Sequence, residues 1–369
     1  MTRDAPIMSV HSVSPSGGVA LVAANVPYTN LQWTRRLSTC GSFEAQLACP
    51  LPVEWPGRYL VTLDLRDEAG VVEKVDAAES SSGVSCTVSG RFAECLWDRW
   101  RAGADGAAAT GANARQAVTS ALSAWHMADL PQLAMGAGTQ APTGASYRLS
   151  AGEGDSAMEA VYAATLAAGL RPLVSYDRDG RPGQLLVRLV EGVDRTRGQS
   201  EHPVWVVALS LGTADEVSYS GDYSVACSEV LAHAEQDSGQ DKSTRVDRTV
   251  AVPGFDRAAQ WLARAYEDVS TLMGQGVSPT AALVDAAAAL RAYDHLPSVA
   301  IDGTVSGHGY LEDWDLGDLV EAELPSLSLV ARERVEEVRE VWKPAGHTVE
   351  ATVGTKQLTR MARALIGRR

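Results

Sequence analysis

The sequence predicts an α+β protein made of several small domains, most of them built on antiparallel β-structure. Three observations carry that prediction. Its 369 residues exceed what one hydrophobic core serves, which points to roughly two to four domains. Short alternating apolar and polar runs, punctuated by Gly, Pro, Asn and Asp, fill the N-terminal part. A central stretch changes to helical periodicity between strand-like runs.

In the N-terminal part, residues 7–13 and 19–25 flank Ser14-Pro15-Ser16-Gly17-Gly18 and read as a hairpin. Residues 30–38 and 42–49 continue the alternation on either side of Cys40-Gly41. Residues 59–66 and 71–77 read as a pair around Asp67-Glu68-Ala69-Gly70. Residues 84–89 then lead through Gly90 into a short helix over 91–101, with Phe92, Leu96 and Trp100 on one face. Strands so short and closely spaced predict a small barrel or sandwich.

Residues 102–111 form a Gly/Ala-rich break that serves as a domain boundary. Beyond it, residues 115–127 place Val118, Leu122 and Trp125 at helical spacing, and 130–147 read as irregular connection. Ser156 and Glu159 fit a capping box, in which hydroxyl and carboxylate each satisfy a backbone N–H that the first helical turn leaves free. That helix carries Met158, Val161 and Leu166 and closes at Gly169, ahead of Pro172. Residues 173–176 and 184–189 pair across Asp177-Arg178-Asp179-Gly180, completing a compact α/β unit.

Strand character returns at 205–209, 216–222 and 227–234, followed by a polar loop over 236–242. Two helices are predicted next. One covers 256–273 with Leu262, Tyr266, Val269 and Met273 in phase, and the other opens at Ser278-Pro279 with Leu283, Ala287 and Leu290 in phase. Strands resume at 298–306 and 318–323. Residues 332–342 fit two patterns. Val335, Val338 and Trp342 suit a helix with a solvated Arg/Glu face, whereas Lys343-Pro344-Ala345-Gly346 and the β-prone 347–353 suit a hairpin.

The net charge of −14 argues against non-specific nucleic-acid binding, which needs clustered cations. Only Lys356, Arg360, Arg363, Arg368 and Arg369 are locally basic, and they read as a helix end complementing its dipole. No stretch reaches the roughly 20 apolar residues of a membrane span, and residues 1–16 lack the pattern of a secretory signal. Synthesis and folding in the cytoplasm are therefore expected. Cys40, Cys49, Cys86, Cys95 and Cys227 are odd in number and never spaced C-x-x-C, so buried reduced thiols are expected and no metal site.

Catalytic signatures are missing: there is no G-x-S-x-G, H-E-x-x-H, Walker loop or G-x-G-x-x-G, and no catalytic or cofactor-binding residue is predicted. Gly154-Asp155-Ser156 is explained by the helix cap. The seven histidines are scattered, with His126 at a helix end and His308 between glycines. The acidic run from Glu312 to Asp318 lacks the distal Glu of a calcium loop and reads as a solvated turn entering a strand. Trp33, Trp97, Trp125 and Trp205 fall on strand or helix faces and are expected in the core.

Leu31-Gln32-Trp33-Thr34-Arg35-Arg36 followed by Cys40-Gly41-Ser42-Phe43-Glu44 resembles the opening of phage tail hub proteins. Gly70 to Val75, Val88-Ser89-Gly90-Arg91, Gly169-Leu170-Arg171-Pro172 and Glu191-Gly192-Val193-Asp194-Arg195-Thr196 continue the pattern. Tyr310 to Val320 resembles that family's aromatic-acidic-L-G-D-x-V lead-in to a late strand. The positions carrying the match are Trp33, Gly41, Phe43, Gly90, Asp194, Thr196, Trp314, Gly317, Asp318 and Gly354.

The resemblance is to tail-tip and baseplate hub proteins, the tail-associated-lysozyme-like hubs. It implies two tail-tube-like β-barrels, at 1–103 and at 199–252 with 298–354, and an α/β domain at 104–198. A helical insertion at 253–297 and a C-terminal helix at 355–369 complete the scheme. The strands near Cys227 and Val320 would then share the second barrel, and 332–342 would pair as a strand with 347–353 against its helical period. By the same resemblance the chain is a virion protein assembled in the host cytoplasm as a homotrimeric ring. That ring would adapt a six-fold tail tube to a three-fold tip and line a channel for DNA and the tape-measure protein. Its implied neighbours are a distal tail or tail-tube protein and further tip or receptor-binding proteins. Larger relatives carry hydrolase or receptor-binding regions after the hub, whereas this sequence stops at Arg369, so no hydrolytic activity is expected. The alternatives are a tail-associated peptidoglycan hydrolase or a carbohydrate-binding module.

Overall fold

The alternating runs of the N-terminal part fold as strands in chain order. They are β1 (Met8–Val13), β2 (Val19–Ala23), β3 (Tyr28–Arg36), β4 (Ser42–Leu47), β5 (Tyr59–Leu63), β6 (Ala69–Val71), β7 (Lys74–Ser80) and β8 (Gly83–Arg91). The structure, a computed structural model, describes residues 5–51, 53–54, 57–81, 83–103, 107–125, 133–135, 147–151, 153–167, 169–178, 183–237, 243–253, 261–270, 278–295, 298–306 and 309–354. The expectations for His126, His308 and the C-terminal helix concern positions outside these residues.

β1 and β2 form the expected hairpin, and β1 also pairs with β5, giving a sheet of order β2-β1-β5-β6. The expected pairing of 59–66 with 71–77 is corrected. Only Ala69–Val71 pairs with β5, whereas Lys74–Ser80 turns away to pair with β8. The backbone changes partner at Val72-Glu73, whose N–H groups donate to Tyr59 and Ser89. Apolar residues of the two sheets face each other, Met8, Val10, Val61 and Leu63 against Leu31, Trp33, Phe43, Ala45 and Val88. This is the sheet-on-sheet core that strict alternation encodes. The helix expected over 91–101 is a 3-10 turn, Ala93–Arg99.

Next come β9 (Ala107–Gly111), α1 (Ala114–Ala124), β10 (Leu133–Met135), β11 (Tyr147–Ala151), α2 (Ala157–Ala167), β12 (Leu170–Tyr176) and β13 (Leu185–Glu191). The break predicted over 102–111 thus contains a strand, and β9 pairs with β11. The capping box forms: the Glu159 N–H donates to Ser156 Oγ at 3.1 Å and the Ser156 N–H to Glu159 Oε2 at 3.2 Å. Gly169 adopts φ +75°, ending the helix before the β12–β13 hairpin. Val118, Trp125, Leu149, Val161, Leu170 and Val187 fill this core together with Trp97 from the 3-10 turn.

The remaining elements are β14 (Val206–Val207), β15 (Glu216–Asp222), β16 (Glu229–Asp237), β17 (Ser243–Ala251), β18 (Arg264–Asp268), α3 (Ala281–Arg291), β19 (Ser298–Ser306), β20 (Leu319–Leu324), β21 (Leu329–Lys343) and β22 (Gly346–Val353). Residues 332–342 are strand, paired with β22 as expected. β21 also pairs antiparallel with β3, Glu340 opposite Trp33. Strands from both ends of the sequence thereby join one sheet of path β15-β19-β22-β21-β3-β4-β8-β7, with β20 pairing off it to β21 and β14.

The described residues divide into two compact units, 5–218 with 301–354, and 219–300. Within the second, β17, β16 and β18 form a sheet in that order, and α3 packs on one face of it through Val284, Ala287 and Ala288 against Ala232 and Ala234. The helix predicted at Ser278-Pro279 is present. The one predicted over 256–273 is corrected: residues 264–268 are a strand parallel to β16, while 254–260 and 271–273 lie outside the described residues. Val230, near Cys227, pairs with Val250 and Ala265, and Val320 pairs with Glu333. The expectation that these strands share one barrel is therefore corrected as well. Among the described residues no helix is long and apolar enough to cross a membrane.

Candidate functional site

The joint between β3 and β21 organises the chemistry of the first unit. Alternation sends Leu31, Trp33, Arg35 and Leu37 inward along β3 and just past it, and Val338, Glu340 and Trp342 inward along β21. Two charged residues thus occupy positions that the pattern reserves for apolar side chains. An uncompensated charge there would be expensive, so each is surrounded by partners.

Arg35 Nε donates to Glu68 Oε1 at 2.8 Å, and its Nη1 donates to Asp315 Oδ1 at 2.6 Å and to Tyr310 Oη at 2.8 Å. Tyr310 Oη donates in turn to Glu340 Oε1 at 3.1 Å. Arg66 closes the chain with a two-pronged pair to Glu340, its Nε 2.6 Å from Oε1 and its Nη2 on Oε2. The Arg66 guanidinium also lies over the rings of Tyr310 and Trp342, 5.6 and 5.7 Å from their centroids. His347 stacks on Trp342 with its Nε2 3.4 Å from Glu340 Oε2.

Burial pushes the Glu68 carboxyl up, but Arg35 and Arg171 outweigh it and hold it at about 2. Burial opposes ionisation of Glu340 too, and hydrogen bonds from Arg66 and His347 still keep it below the usual carboxylate range. Two other acids go the opposite way: burial raises Glu94 and Glu336 to about 7.

The acidic run expected as a solvated turn is instead largely interior. Trp314 is 1% exposed and Asp318 3%, and Leu316 and Gly317 are buried with them, while Glu312 is exposed and Asp313 and Asp315 are half-buried. Asp318 accepts from the Val193 N–H at 2.8 Å, Arg195 Nε at 2.8 Å and the Asp315 N–H at 3.0 Å. Its carboxylate fastens the segment after β13 to the start of β20.

The family-matching positions fall into two groups. Trp33, Gly41, Phe43 and Gly90 meet at β3, β4 and β8, with Phe92 4.7 Å from Trp33 between ring centroids and its N–H on the Gly41 carbonyl. Gly90 lies so close to the Val71 carbonyl that a Cβ would collide with backbone. Asp194, Thr196, Gly317, Asp318 and Gly354 gather around β20. The Asp194 carboxylate accepts from the Thr196 N–H at 2.8 Å, and Arg334 joins Gly317 to Gly354 by donating to one and accepting from the other. Gly317 has φ +89°, a conformation that side chains resist. Trp314 packs on Tyr310 and Trp205, with ring centroids 5.0 and 6.1 Å away. Trp97 and Trp125 are buried as expected; Cys49 is exposed, and the other four cysteines are buried and free.

Arg35, Arg66, Glu68, Tyr310 and Glu340 were not among the positions singled out from sequence. A usable signal was present, because Arg35 and Glu340 keep the phase of the buried residues two positions away.

The opposite face of the same sheet is mostly polar, with Val341 from β21 and Ala78 from β7 as apolar exceptions. It carries Gln32 and Arg36 from β3, Glu44 and Gln46 from β4, Thr87 and Ser89 from β8, Glu337 and Arg339 from β21, and Thr348 and Glu350 from β22. Its cations are matched by anions: Arg36 pairs with Glu337 at 2.7 Å, Arg339 with Glu350 at 3.5 Å, and Lys74 with Asp76 at 2.5 Å. Such a face offers hydroxyls, amides and neutralised guanidiniums.

Known structures share this arrangement of elements. A tail protein from Neisseria meningitidis MC58 is 15% identical and superposes with a TM-score of 0.56, over 98% of this chain and 99% of that one. The 43 kDa tail protein of prophage MuSo2 from Shewanella oneidensis is 14% identical, with a TM-score of 0.55 over 97% and 99%. Prophage tail protein gp18 from Listeria monocytogenes EGD-e is 11% identical, with a TM-score of 0.53 over 96% of each chain. No curated protein matches the sequence significantly. The family model of the siphovirus ReqiPepy6 Gp37-like proteins matches residues 138–355, more than half of the chain and all of β11 to β22. With a β-rich fold shared with phage tail proteins and a match of that extent, the chain belongs to the siphovirus ReqiPepy6 Gp37-like family.

Proposed function

We propose that the chain is a structural, non-catalytic hub of a phage tail tip, three copies of which form a ring around an axial channel. The observation that carries this reading is the sheet path through the β3–β21 joint. It splits into two four-stranded halves, β7-β8-β4-β3 and β21-β22-β19-β15, one from each part of the chain. Three chains would present six similar halves, which is a physical way to match a six-fold tube to a three-fold tip. A three-fold ring needs a heterologous interface, and the two ends of the path, β7 and β15, are different surfaces suited to one. The polar outer face would line the channel. Its paired cations give a passing polyphosphate no cluster of free positive charge to bind.

On this reading residues 1–103 form one tube-like barrel, 104–198 the intervening α/β domain, and the strands flanking the Tyr219–Ala300 unit the second barrel. The family-matching residues are structural: one group fixes the first barrel and the other ties the α/β domain to β20. The ring would sit in the virion beneath a distal tail or tail-tube protein, contact the tape-measure protein, and carry further tip or receptor-binding proteins.

Counting copies in purified tails by mass measurement, together with a reconstruction of the tail end, tests the proposal. Three copies lining the axis are expected. Six copies, or a single copy off the axis, would overturn it. Zymography on cell walls tests the non-catalytic half: a lysis band lost on substituting one Asp or Glu would establish a hydrolase instead.

A further inference from the structure

Where the first β-sandwich meets the α/β part, three charged side chains are almost completely buried: Glu68 and Glu94 at 2% exposure and Arg171 at 6%. They come from three segments, the β5–β6 connection, the 3-10 turn and β12. Backbone contacts cross here as well, through bridges of Glu68 with Ser175 and of Gly70 with Phe92. A direct side-chain bond ties the 3-10 turn to β12: Glu94 Oε1 accepts the Val174 N–H at 2.7 Å.

The polar inventory of this interior is incomplete. Glu68 Oε2, Glu94 Oε2 and Arg171 Nε are buried without a hydrogen-bond partner among the described residues. Arg171 Nη2 lies 3.7 Å from Glu68 Oε1, and Arg35 is also committed to Glu68, so the cationic charge nearby is already engaged by one carboxylate. The other titratable groups acting on Glu94 are Tyr162 from α2 and Cys40 from the β3–β4 turn, both neutral when protonated and neither able to balance a second anion. Ionised, Glu94 is a second buried anion beside Glu68. With a proton, it loses that charge and its unpartnered acceptor becomes a donor, while Oε1 still holds Val174.

We propose that Glu94 is a proton-controlled latch that seats β12 of the α/β part on the first β-sandwich, closed when its carboxyl carries a proton and loosened when it is ionised. The proton comes from solvent when the latch breathes open, and no other group need change state, because the arginines keep Glu68 ionised throughout. The sign is opposite to that of an ordinary salt bridge. The folded protein holds the Glu94 proton more tightly than the unfolded chain does, so the latch is fully engaged below about pH 4.5 and weakens as pH rises towards 7.

Amide hydrogen exchange of the β12 peptide in the full chain, corrected for intrinsic rates and measured at pH 5 and pH 8, tests the proposal. Protection in the wild type is expected to fall by about tenfold or more at the higher pH. In Glu94→Gln, which keeps an acceptor for Val174 but cannot ionise, protection should be independent of pH. Glu336→Gln, which removes the other acid raised by burial, should keep the wild-type fall. An unchanged wild-type profile, or the same fall in Glu94→Gln, overturns the latch. If Glu94→Gln does not fold, the carboxyl carbon of wild-type Glu94 can be titrated by NMR. A midpoint near 7 together with loss of β12 protection supports the proposal, and a midpoint below 5 refutes it.

Discussion

In the first unit Arg35 reaches Asp315 across 280 positions and Arg66 reaches Glu340 across 274, whereas in the second Arg248 reaches Asp285 across 37 and Arg264 reaches Glu229 across 35. The environments differ as much as the spans. The Glu340 side chain is wholly buried, while that of Asp285 is 39% exposed. The second unit draws its interior from alanine and valine on α3 and β16, an apolar contact that any similar pair of elements could make. The first places ions where apolar residues would fit. Buried ion pairs add little net stability compared with apolar replacements, but they strongly penalise arrangements that leave one partner alone. The contrast teaches that the long-range joint is held to one register by charge, and the local one is held together by apolar area.

The sharpest way to break this contrast is Glu340→Ala, which strands Arg66 in the interior. It should destabilise the first unit by about 3–5 kcal/mol in urea denaturation, with most of the loss recovered when Arg66→Met and Glu340→Leu are combined. A loss no larger than that of a surface substitution would show that the network does not specify the joint.

Acidity gives the next largest effect. Glu68 is held at about 2, against an ordinary 4.5, so its contribution is fully present above 4.5 and is lost as pH falls towards 2. That contribution is on the order of 3 kcal/mol. Glu94 and Glu336, raised to about 7, act in reverse and favour the folded state less as pH rises from 4.5 to 7. Stability of the first unit should therefore peak near pH 4.5–5, as read by exchange protection of its peptides, and a profile still rising at pH 7 would contradict this.

A smaller test separates locality from unit. Ser156→Ala removes the α2 cap, a short-range bond within the first unit, and should lower stability by about 1 kcal/mol. Smallest of all is Arg248→Ala in the second unit. The pair it breaks is exposed, and no change beyond the scatter of a denaturation curve is expected.

The features legible in the sequence were those decided within a few residues. The Ser14–Gly18 hairpin, the Ser156/Glu159 box, the stop at Gly169 and the helix after Pro279 each need only local geometry. The strand at 264–268 was misread because Leu262, Tyr266 and Val269 satisfy a helical period, although Leu262 and Tyr266 are in fact well exposed. β17 was missed since its outward positions are Thr and charged residues, leaving Val246 and Val250 as its apolar signal. At the site, Asp318 and Trp314 stood out by motif, but their burial did not, because seven consecutive residues rich in acid look solvated until their distant partners are known. Arg35 and Glu340 become meaningful only once the β3–β21 register is in hand.

That register also has a consequence in time. Trp33 and Glu340 sit opposite each other but are made far apart on the ribosome. At roughly 5–20 residues per second, some 15–60 seconds separate the synthesis of β3 from that of β21. Throughout that interval one edge of β3 lacks its neighbour, and Arg35 lacks Asp315 and Tyr310. An open strand edge is a template for the wrong partner. The nascent chain must therefore wait with a vulnerable edge, and its yield should depend on the speed of translation and on chaperones that cover β3 until the last hairpin emerges.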